Sequence, residues 1–291
     1  MEENVKKRSK KYRWLSIVLV LALLLTALFL DSRYRLVTTR YELSFENLPE
    51  SFDGYRIVML ADLHFAQYGK DNSRLLERIK REQPDIITLN GDFIEKRTKM
   101  EKGEQTAQLE PFLTELARIA PCYFASGNHE WASGELKDFS ALLEQLGIKY
   151  LHNEFVLIEE DGEHIVLAGV EDPNGPADMM LPDELVDIIE GNYPDSFSVL
   201  LGHRANWLEK YPELEVDIIL CGHAHGGVVR LPFLGGVFGT EFDLFPKYDA
   251  GIYNEGNYYM VLSRGLGGSV PMPRFLNNPE VVSITLRSQQ L

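Results

Sequence analysis

Short polar motifs follow several apolar runs of the chain, and they carry the side chains best suited to binding metal ions. The last one, Gly222-His223-Ala224-His225, comes directly after an apolar run at residues 217–221. Two imidazoles at positions i and i+2 project to the same side of an extended chain, so both can face one ion or a close pair of ions. A glycine-rich turn with incidental histidines is the alternative. Earlier motifs offer further ligand-type side chains, namely Asp62, His64, Asp92, Asn128, His129 and His203.

These side chains share a chemistry. Imidazole, carboxylate and amide groups without a thiolate suit Mn, Fe or Zn, and they differ from the cysteine-rich sets of structural zinc sites. A single Gly-Asp or Asn-His pair after a strand is usually an ordinary turn. The repetition of the same design along the chain makes that interpretation improbable and favours a metal centre.

The elements that must position these motifs are strands that end at them. Apolar runs at residues 56–61, 85–89, 121–125, 197–201 and 216–220 predict buried strands, each followed by a ligand-type motif. Open α/β sheets place their sites at the carboxyl ends of strands, so the motifs are expected to meet. Helical spacing predicts helices at 72–81, 106–119, 139–146, 185–189 and 205–210. Further strands are expected at 149–151, 155–158 and 164–169, and strands of a second sheet at 228–231, 258–262 and 281–286.

The N-terminus predicts a membrane anchor. Residues 1–13 form a basic cytoplasmic segment, and residues 14–30 are seventeen residues without a charge, which as a helix would cover about 25 Å. Lysines and arginines before this span favour a cytoplasmic N-terminus and an extracytoplasmic domain. A cleaved signal peptide is the alternative, but Leu25 and Leu28 around Ala27 make a poor cleavage site. Residues 31–53 are interpreted as a juxtamembrane connector with an edge strand, and residues 54–291 as one catalytic domain.

The distribution of charge along the chain argues against a nucleic-acid partner. Residues 1–44 hold nine Lys and Arg against four Asp and Glu, while the remainder holds twenty against forty. A nucleic-acid surface needs clustered basic side chains, and none follows the N-terminal segment, so no nucleic-acid partner is indicated. The two cysteines, Cys122 and Cys221, are expected to be buried and unpaired.

Together the motifs resemble a known family. Asp62-x-His64, Gly91-Asp92, Gly127-Asn128-His129-Glu130, Gly202-His203 and Gly222-His223-x-His225 are similar to the five ordered motifs of the calcineurin-like metallophosphoesterases. The chain most resembles their membrane-anchored bacterial YaeI/YkuE-like phosphodiesterase branch. Two departures, Ala224 in place of the usual threonine and Arg204 where asparagine is frequent, remove no ligand.

The resemblance implies an α/β fold, a two-layered β-sandwich flanked by α-helices, preceded by the transmembrane helix. It also implies two divalent ions (Mn, Zn or Fe). Asp62, His64 and His225 would hold one ion. Asn128, His203 and His223 would hold the other, and Asp92 would bridge both. A hydroxide between the ions would attack phosphorus, and His129 would act on the substrate side, an indirect role being the alternative.

The resulting interpretation is a metal-dependent phosphoester hydrolase, most simply a phosphodiesterase, acting at the outer face of the cell membrane. Its substrate would be a phosphoester, and one linked to a lipid or to the cell envelope would suit an anchored enzyme. The alternatives are a pyrophosphatase acting on a nucleotide-linked lipid or sugar of the UDP-diacylglucosamine type, and a non-catalytic module of the same fold. Arg204, Arg264 and Arg274 are expected to form structural salt links, contact with a substrate phosphate being the alternative. His152 and His164 are expected to lie outside the site.

Overall fold

The structure, a computed structural model, describes residues 2–96, 98–176, 178–240, 243–268 and 272–289. The helices are α1 (Glu2–Tyr34), α2 (Ser73–Glu82), α3 (Glu104–Ala117), α4 (Asn128–Ser133), α5 (Leu136–Gln145), α6 (Pro182–Asn192) and α7 (Trp207–Lys210). The strands are β1 (Val37–Phe45), β2 (Arg56–Leu60), β3 (Ile86–Asn90), β4 (Cys122–Ala125), β5 (Lys149–Tyr150), β6 (Glu154–Glu160), β7 (Glu163–Gly169), β8 (Ser198–Leu201), β9 (Ile218–Cys221), β10 (Arg230–Leu231), β11 (Gly235–Gly236), β12 (Gly251–Tyr253), β13 (Tyr259–Leu262) and β14 (Glu280–Ser288).

Two six-stranded sheets pack face to face. The first has the order β1-β14-β2-β3-β4-β5 and the second β12-β13-β9-β8-β7-β6. The core between them takes side chains from both sheets, such as Ile57 and Ile284 from the first and Leu167 and Leu220 from the second. Helices α2, α3 and α5 cover the outer face of the first sheet, and α6 and α7 cover that of the second. The predicted two-layered sandwich flanked by helices is confirmed.

The central strands of each sheet are parallel. Strands β2, β3 and β4 run parallel in the first sheet, and β7, β8 and β9 in the second. Their residues are buried on both faces, which explains why their sequences are continuous apolar runs without alternation. Because parallel strands end at the same edge, each sheet gathers its loops at one side.

One predicted pairing is wrong. The strands expected at 228–231, 258–262 and 281–286 do not share a second sheet. Strand β14 lies in the first sheet, parallel to β1 and antiparallel to β2, whereas β13 joins the second sheet beside β9. Strand β10 pairs with β11 in a separate hairpin. An apolar run specifies that a strand forms but carries little information on which strand it pairs with.

Helix α1 is longer than the apolar span at 14–30 and ends against the domain. Residues Lys10–Tyr34 are long and apolar enough to cross a membrane. The amide of Leu276 donates to Ser32 Oγ at 2.7 Å, and Asn278 Nδ2 donates to the carbonyl of Asp31 at 2.9 Å. Leu36 is buried in the core, and β1 begins at the next residue as the edge strand. The helix end is therefore fixed to the domain by direct contacts.

Candidate metal centre

All the ligand-type motifs come together at the carboxyl ends of the parallel strands. Asp62 follows β2 and Asp92 follows β3, while Asn128 and His129 begin α4, directly after the loop that ends β4. From the second sheet, His203 follows β8, and His223 and His225 follow β9. Three groups of their ligand atoms each lie within 4.8 Å of one another: Asp62 with His64 and His225; His64 with Asp92 and His129; Asp92 with His203 and His223.

The first group surrounds Asp62. His225 Nε2 lies 3.6 Å and His64 Nε2 lies 4.0 Å from Asp62 Oδ1. The backbone amide of His223 donates to both carboxylate oxygens of Asp62, at 3.1 and 3.0 Å, which fixes the direction of this carboxylate. These separations leave the three ligand atoms free to converge on one ion.

The second group surrounds Asp92, whose Oδ2 faces both groups. It lies 3.1 Å from His203 Nε2 on one side and 3.7 Å from His64 Nε2 on the other. His223 Nδ1 lies 3.3 Å from His203 Nε2. The other ring nitrogen of His203, Nδ1, lies 2.8 Å from the carbonyl of Asn90, so this contact orients the ring with Nε2 toward the cluster.

The donor set fits divalent metal ions. Asp62 and Asp92 are almost fully buried, and buried carboxylates require compensation by opposite charge. His64 Nε2, which belongs to the cluster, and Asn128 Oδ1, beside His129 in sequence, are buried without a hydrogen-bond partner among the described residues. Orphaned polar atoms of this kind are expected where an ion completes their interactions. Nitrogen and oxygen donors in this mixture suit Mn, Fe or Zn.

The pKa values of the candidate ligands shift in different directions. Burial raises the pKa of Asp62, and the Asp92 carboxylate adds to the effect. Burial opposes the charged form of His203, but the Asp92 carboxylate outweighs burial and raises the pKa of this imidazole to about 10. Burial holds the pKa values of His223 and His225 well below the usual range, so both are neutral, the form that binds metals.

Glu95 is a site residue that sequence reasoning missed. Its Oε1 lies 3.0 Å from His64 Nδ1 and its Oε2 lies 3.0 Å from His129 Nδ1. The backbone amide of Lys96 lies 3.3 Å from the same nitrogen of His129, but the carboxylate contact is shorter and charged. Burial opposes ionisation of Glu95, yet the two imidazoles lower its pKa to about 2. A single carboxylate therefore orients two rings of the cluster.

Glu130 fixes the loops that carry Asp92 and Asn128. Its carboxylate accepts hydrogen bonds from the amides of Asp92 at 2.8 Å, Phe93 at 2.7 Å and Gly127 at 2.8 Å. Gly91 has a positive φ of 76°, and a Cβ there would lie 2.6 Å from the amide nitrogen of Gly127. Glutamate and glycine in these motifs thus permit a close approach of two strand-end loops.

Five of the candidate ligands adopt a left-handed backbone conformation. Asp62, His64, Asp92, His223 and His225 all have φ between 44° and 70°. Non-glycine residues seldom adopt this region and do so at a cost of about 1–3 kcal/mol each. Five such residues in one cluster indicate that the surrounding structure holds them in place for the geometry of the site.

Of the three arginines expected to form salt links, two have a carboxylate partner and one has none among the described residues. Arg204 forms an ion pair with Asp172 at 2.6 Å, and Arg264 one with Glu280 at 2.6 Å, as expected for structural salt links. Arg274 differs from the expectation, because no carboxylate lies within 4.0 Å of it among the described residues. Its Nη2 lies 3.5 Å from His225 Nδ1.

The histidines expected outside the centre do lie outside it. His152 packs its ring against Tyr150, with centroids 5.3 Å apart. His164 packs against Tyr193 in the same way at 5.6 Å, and its Nε2 lies 3.4 Å from Ser196 Oγ. Neither belongs to a group of ligand atoms in the described part of the chain.

Comparison with known proteins places this chemistry in a family. A model of the family described as calcineurin-like phosphoesterase matches residues 55–227. The uncharacterised metallophosphoesterase YkuE of Bacillus subtilis (strain 168) is 27% identical over 255 residues, covering 86% of this chain and 85% of its own. An uncharacterised metallophosphoesterase of Aquifex aeolicus (strain VF5) is 29% identical over 276 residues, covering 92% and 98%. Phosphodiesterase YaeI of Escherichia coli (strain K12) is 27% identical over 237 residues, covering 80% and 82%.

Proposed function

The chain belongs to the calcineurin-like phosphoesterase family, a family of phosphoester hydrolases, and we propose that it hydrolyses phosphodiesters at a centre of two divalent metal ions. The observation that carries the proposal is the position of Asp92, whose Oδ2 faces His64 on one side and His203 on the other. A shared carboxylate between two groups of ligand atoms is the arrangement that a two-metal centre requires. Similarity to phosphodiesterase YaeI supports a diester as the substrate.

In this proposal the first ion is held by Asp62, His64 and His225. The second is held by Asn128, His203 and His223, with Asp92 between them. The ions would be Mn, Zn or Fe. When bound, two such ions polarise the phosphoryl group and lower the pKa of water toward about 7.

His129 is proposed as the catalytic proton donor. Hydrolysis forms a bond between the oxygen of water and phosphorus and breaks the bond between phosphorus and the leaving oxygen, which must gain a proton. Glu95 contacts Nδ1 of His129 at 3.0 Å and so orients the ring, while Nε2 lies 3.9 Å from Asp92 Oδ2 at the cluster. Nε2 is therefore the atom placed to donate a proton to the leaving alcohol.

The proposed membrane topology rests on the charges around α1. Residues 1–13 would lie in the cytoplasm, residues 14–30 would span the cell membrane, and residues 31–53 would lead into an extracytoplasmic catalytic domain at 54–291. Support comes from the basic residues that precede the apolar span. Protease added to intact cells or spheroplasts should digest the domain; protection until lysis would place it in the cytoplasm.

A substrate panel tests the proposed reaction. The full chain, loaded with Mn²⁺ in neutral detergent, would be assayed with aryl phosphomonoesters, bis(p-nitrophenyl) phosphate and nucleotide-sugar diphosphates. We expect the highest kcat/KM for the diester and loss of turnover on chelation. Preference for the diphosphates would instead identify a pyrophosphatase. Full activity in a demonstrably metal-free sample would contradict the proposal.

A further inference from the structure

A cavity joins the metal centre to the end of helix α1. Its volume is about 360 Å³, and its lining includes His64 of the metal centre together with Arg33, Tyr34, Tyr68, Arg74 and Arg274. Arg33 and Tyr34 belong to the last turn of α1. The cavity therefore extends from the metal centre to the point where the helix that could cross a membrane meets the domain.

Arg274 brings a partly unpaired positive charge to this cavity. Its Nε donates to the carbonyl of Gly267 at 2.9 Å, and its Nη2 donates to the carbonyl of Arg264 at 2.7 Å. Nη1 is buried and has no hydrogen-bond partner among the described residues. A buried charge without an opposite charge is costly, and a bound anion would remove that cost.

Two further arginines stand at the rim. Arg33 and Arg74 are exposed, and no ion pair with a carboxylate is formed by either within the described part of the chain. Beyond residue 44 the chain carries forty acidic residues against twenty basic ones, so Arg74 and Arg274, which form no ion pair with a described carboxylate, give the cavity a positive charge that the rest of the domain lacks. The cavity is thus suited to an anionic group such as a phosphate.

Exposed apolar side chains lie on a hairpin that is connected to the same segment of chain as the end of α1. The hairpin of β10 and β11 exposes Phe233 fully and Leu234 largely. The backbone amide of Arg230, at the base of this hairpin, donates to the carbonyl of Phe275. The backbone amide of Leu276, the residue after Phe275, donates to Ser32 Oγ of α1. The hairpin and the helix therefore flank one segment of chain, and the exposed apolar residues extend the surface that α1 brings to a bilayer.

We propose that this cavity binds the anionic headgroup of a membrane phospholipid, with the acyl chains left in the bilayer beside α1 and the phosphoester directed at the metal centre. The role of this phospholipid as a substrate rests on the proposed function. Arg274 contacts the headgroup nearest the metal centre, and Arg33 and Arg74 bind it at the rim. A soluble phosphodiester would use the metal centre without the apolar surroundings.

A binding measurement tests this inference independently of catalytic turnover. The full chain in neutral-detergent micelles, without added metal, would be titrated with dihexanoyl phosphatidylglycerol and the heat recorded. Titration with dihexanoyl phosphatidylcholine tests whether binding depends on the net negative charge of the headgroup. Titration with glycerophosphoglycerol, the deacylated headgroup, distinguishes binding of a lipid from binding of a free phosphodiester. The Arg33→Gln/Arg74→Gln double variant would be compared with Arg81→Gln, an exposed arginine on α2 outside the cavity.

We expect phosphatidylglycerol to bind at least about tenfold more tightly than either comparison compound, and the double variant to weaken its binding by about tenfold, since charged hydrogen bonds contribute at that scale. Arg81→Gln should bind as the parent does. Equal binding of all three compounds, or an unchanged affinity in the double variant, would overturn the inference. Tight binding of the deacylated headgroup alone would identify a soluble diester. Hydrolysis of bis(p-nitrophenyl) phosphate, measured on a portion of the same protein after loading with Mn²⁺, reports on the proposed function separately.

Discussion

The loops of the two sheets differ in charge where they meet at the metal centre. Loops that follow the strands of the first sheet supply the carboxylates, Asp62, Asp92, Glu95 and Glu130. Loops that follow β8, β9 and β13 of the second sheet supply imidazoles and guanidinium groups, those of His203, His223, His225, Arg204 and Arg274. The first sheet therefore provides the carboxylates of the cluster together with His64, Asn128 and His129, and the second provides the remaining imidazoles and the guanidinium groups.

This arrangement would let one cleft accommodate both cations and an anion. In the proposed two-metal centre, two carboxylates from one sheet would offset part of the charge of two dications, while the neutral rings of His223 and His225 would add ligands without adding negative charge. Excess positive charge would remain available for a phosphoryl group. Substitution of a carboxylate should accordingly remove negative charge from the metal centre. Substitution of a neutral ligand should remove a ligand atom without changing that charge.

The largest effect is expected for Asp92→Asn. The substitution preserves size but removes the one carboxylate that faces both groups of ligand atoms, so repulsion between the two ions would increase. We predict lower metal occupancy and a loss of activity of about 10³-fold or more on bis(p-nitrophenyl) phosphate. The apolar strands should keep the fold intact, as circular dichroism would show. A fully loaded and fully active variant would exclude the bridging role.

The next largest effect is expected for His129→Ala. Loss of a positioned proton donor typically slows turnover by about 10²–10⁴-fold. Metal content should stay at the parent value, because this ring is not among the proposed ligands. The loss in kcat should be greatest for diesters with poor leaving groups. An equal loss across leaving groups would instead indicate stabilisation of charge on the phosphoryl oxygens.

A smaller effect is expected for Glu95→Gln. The amide would keep a contact to His64 or His129 but not the charged contact to both rings, and loss of such an orienting partner typically costs about 10–100-fold in metal affinity or activity. Metal affinity, measured with a competing chelator, should fall. Glu110→Gln on α3 is the matched control, which should behave as the parent does.

The smallest effect is expected for His152→Ala. This ring packs on Tyr150 and belongs to none of the groups of ligand atoms. Metal content and kcat/KM should therefore stay within about twofold of the parent, as is usual for substitutions away from a site. A large loss of metal in this variant would show that the centre extends beyond the proposed ligands.

The two-layered sandwich was predicted from the resemblance of the motifs to a known family. That the ligand-type residues would meet was predicted from the residues themselves, because each motif follows an apolar run that forms a buried strand. Glu95 was missed since it lies in a charged loop, where a carboxylate gives no signal that its side chain turns back toward two histidines. Strand β14 was assigned to the wrong sheet because strand pairing depends on the whole topology. Arg274 was expected to form a salt link, and only the structure shows that no carboxylate of the described chain reaches it.

Metal titration of the purified full chain tests the central claim most directly. Metal-free protein would receive Mn²⁺ in known equivalents while bound metal and hydrolysis of bis(p-nitrophenyl) phosphate are measured together. We predict that both quantities rise until two equivalents are bound and then level off, and that Asp92→Asn shifts this plateau to a lower occupancy. Saturation of activity at one equivalent, or activity before any metal is added, would contradict it.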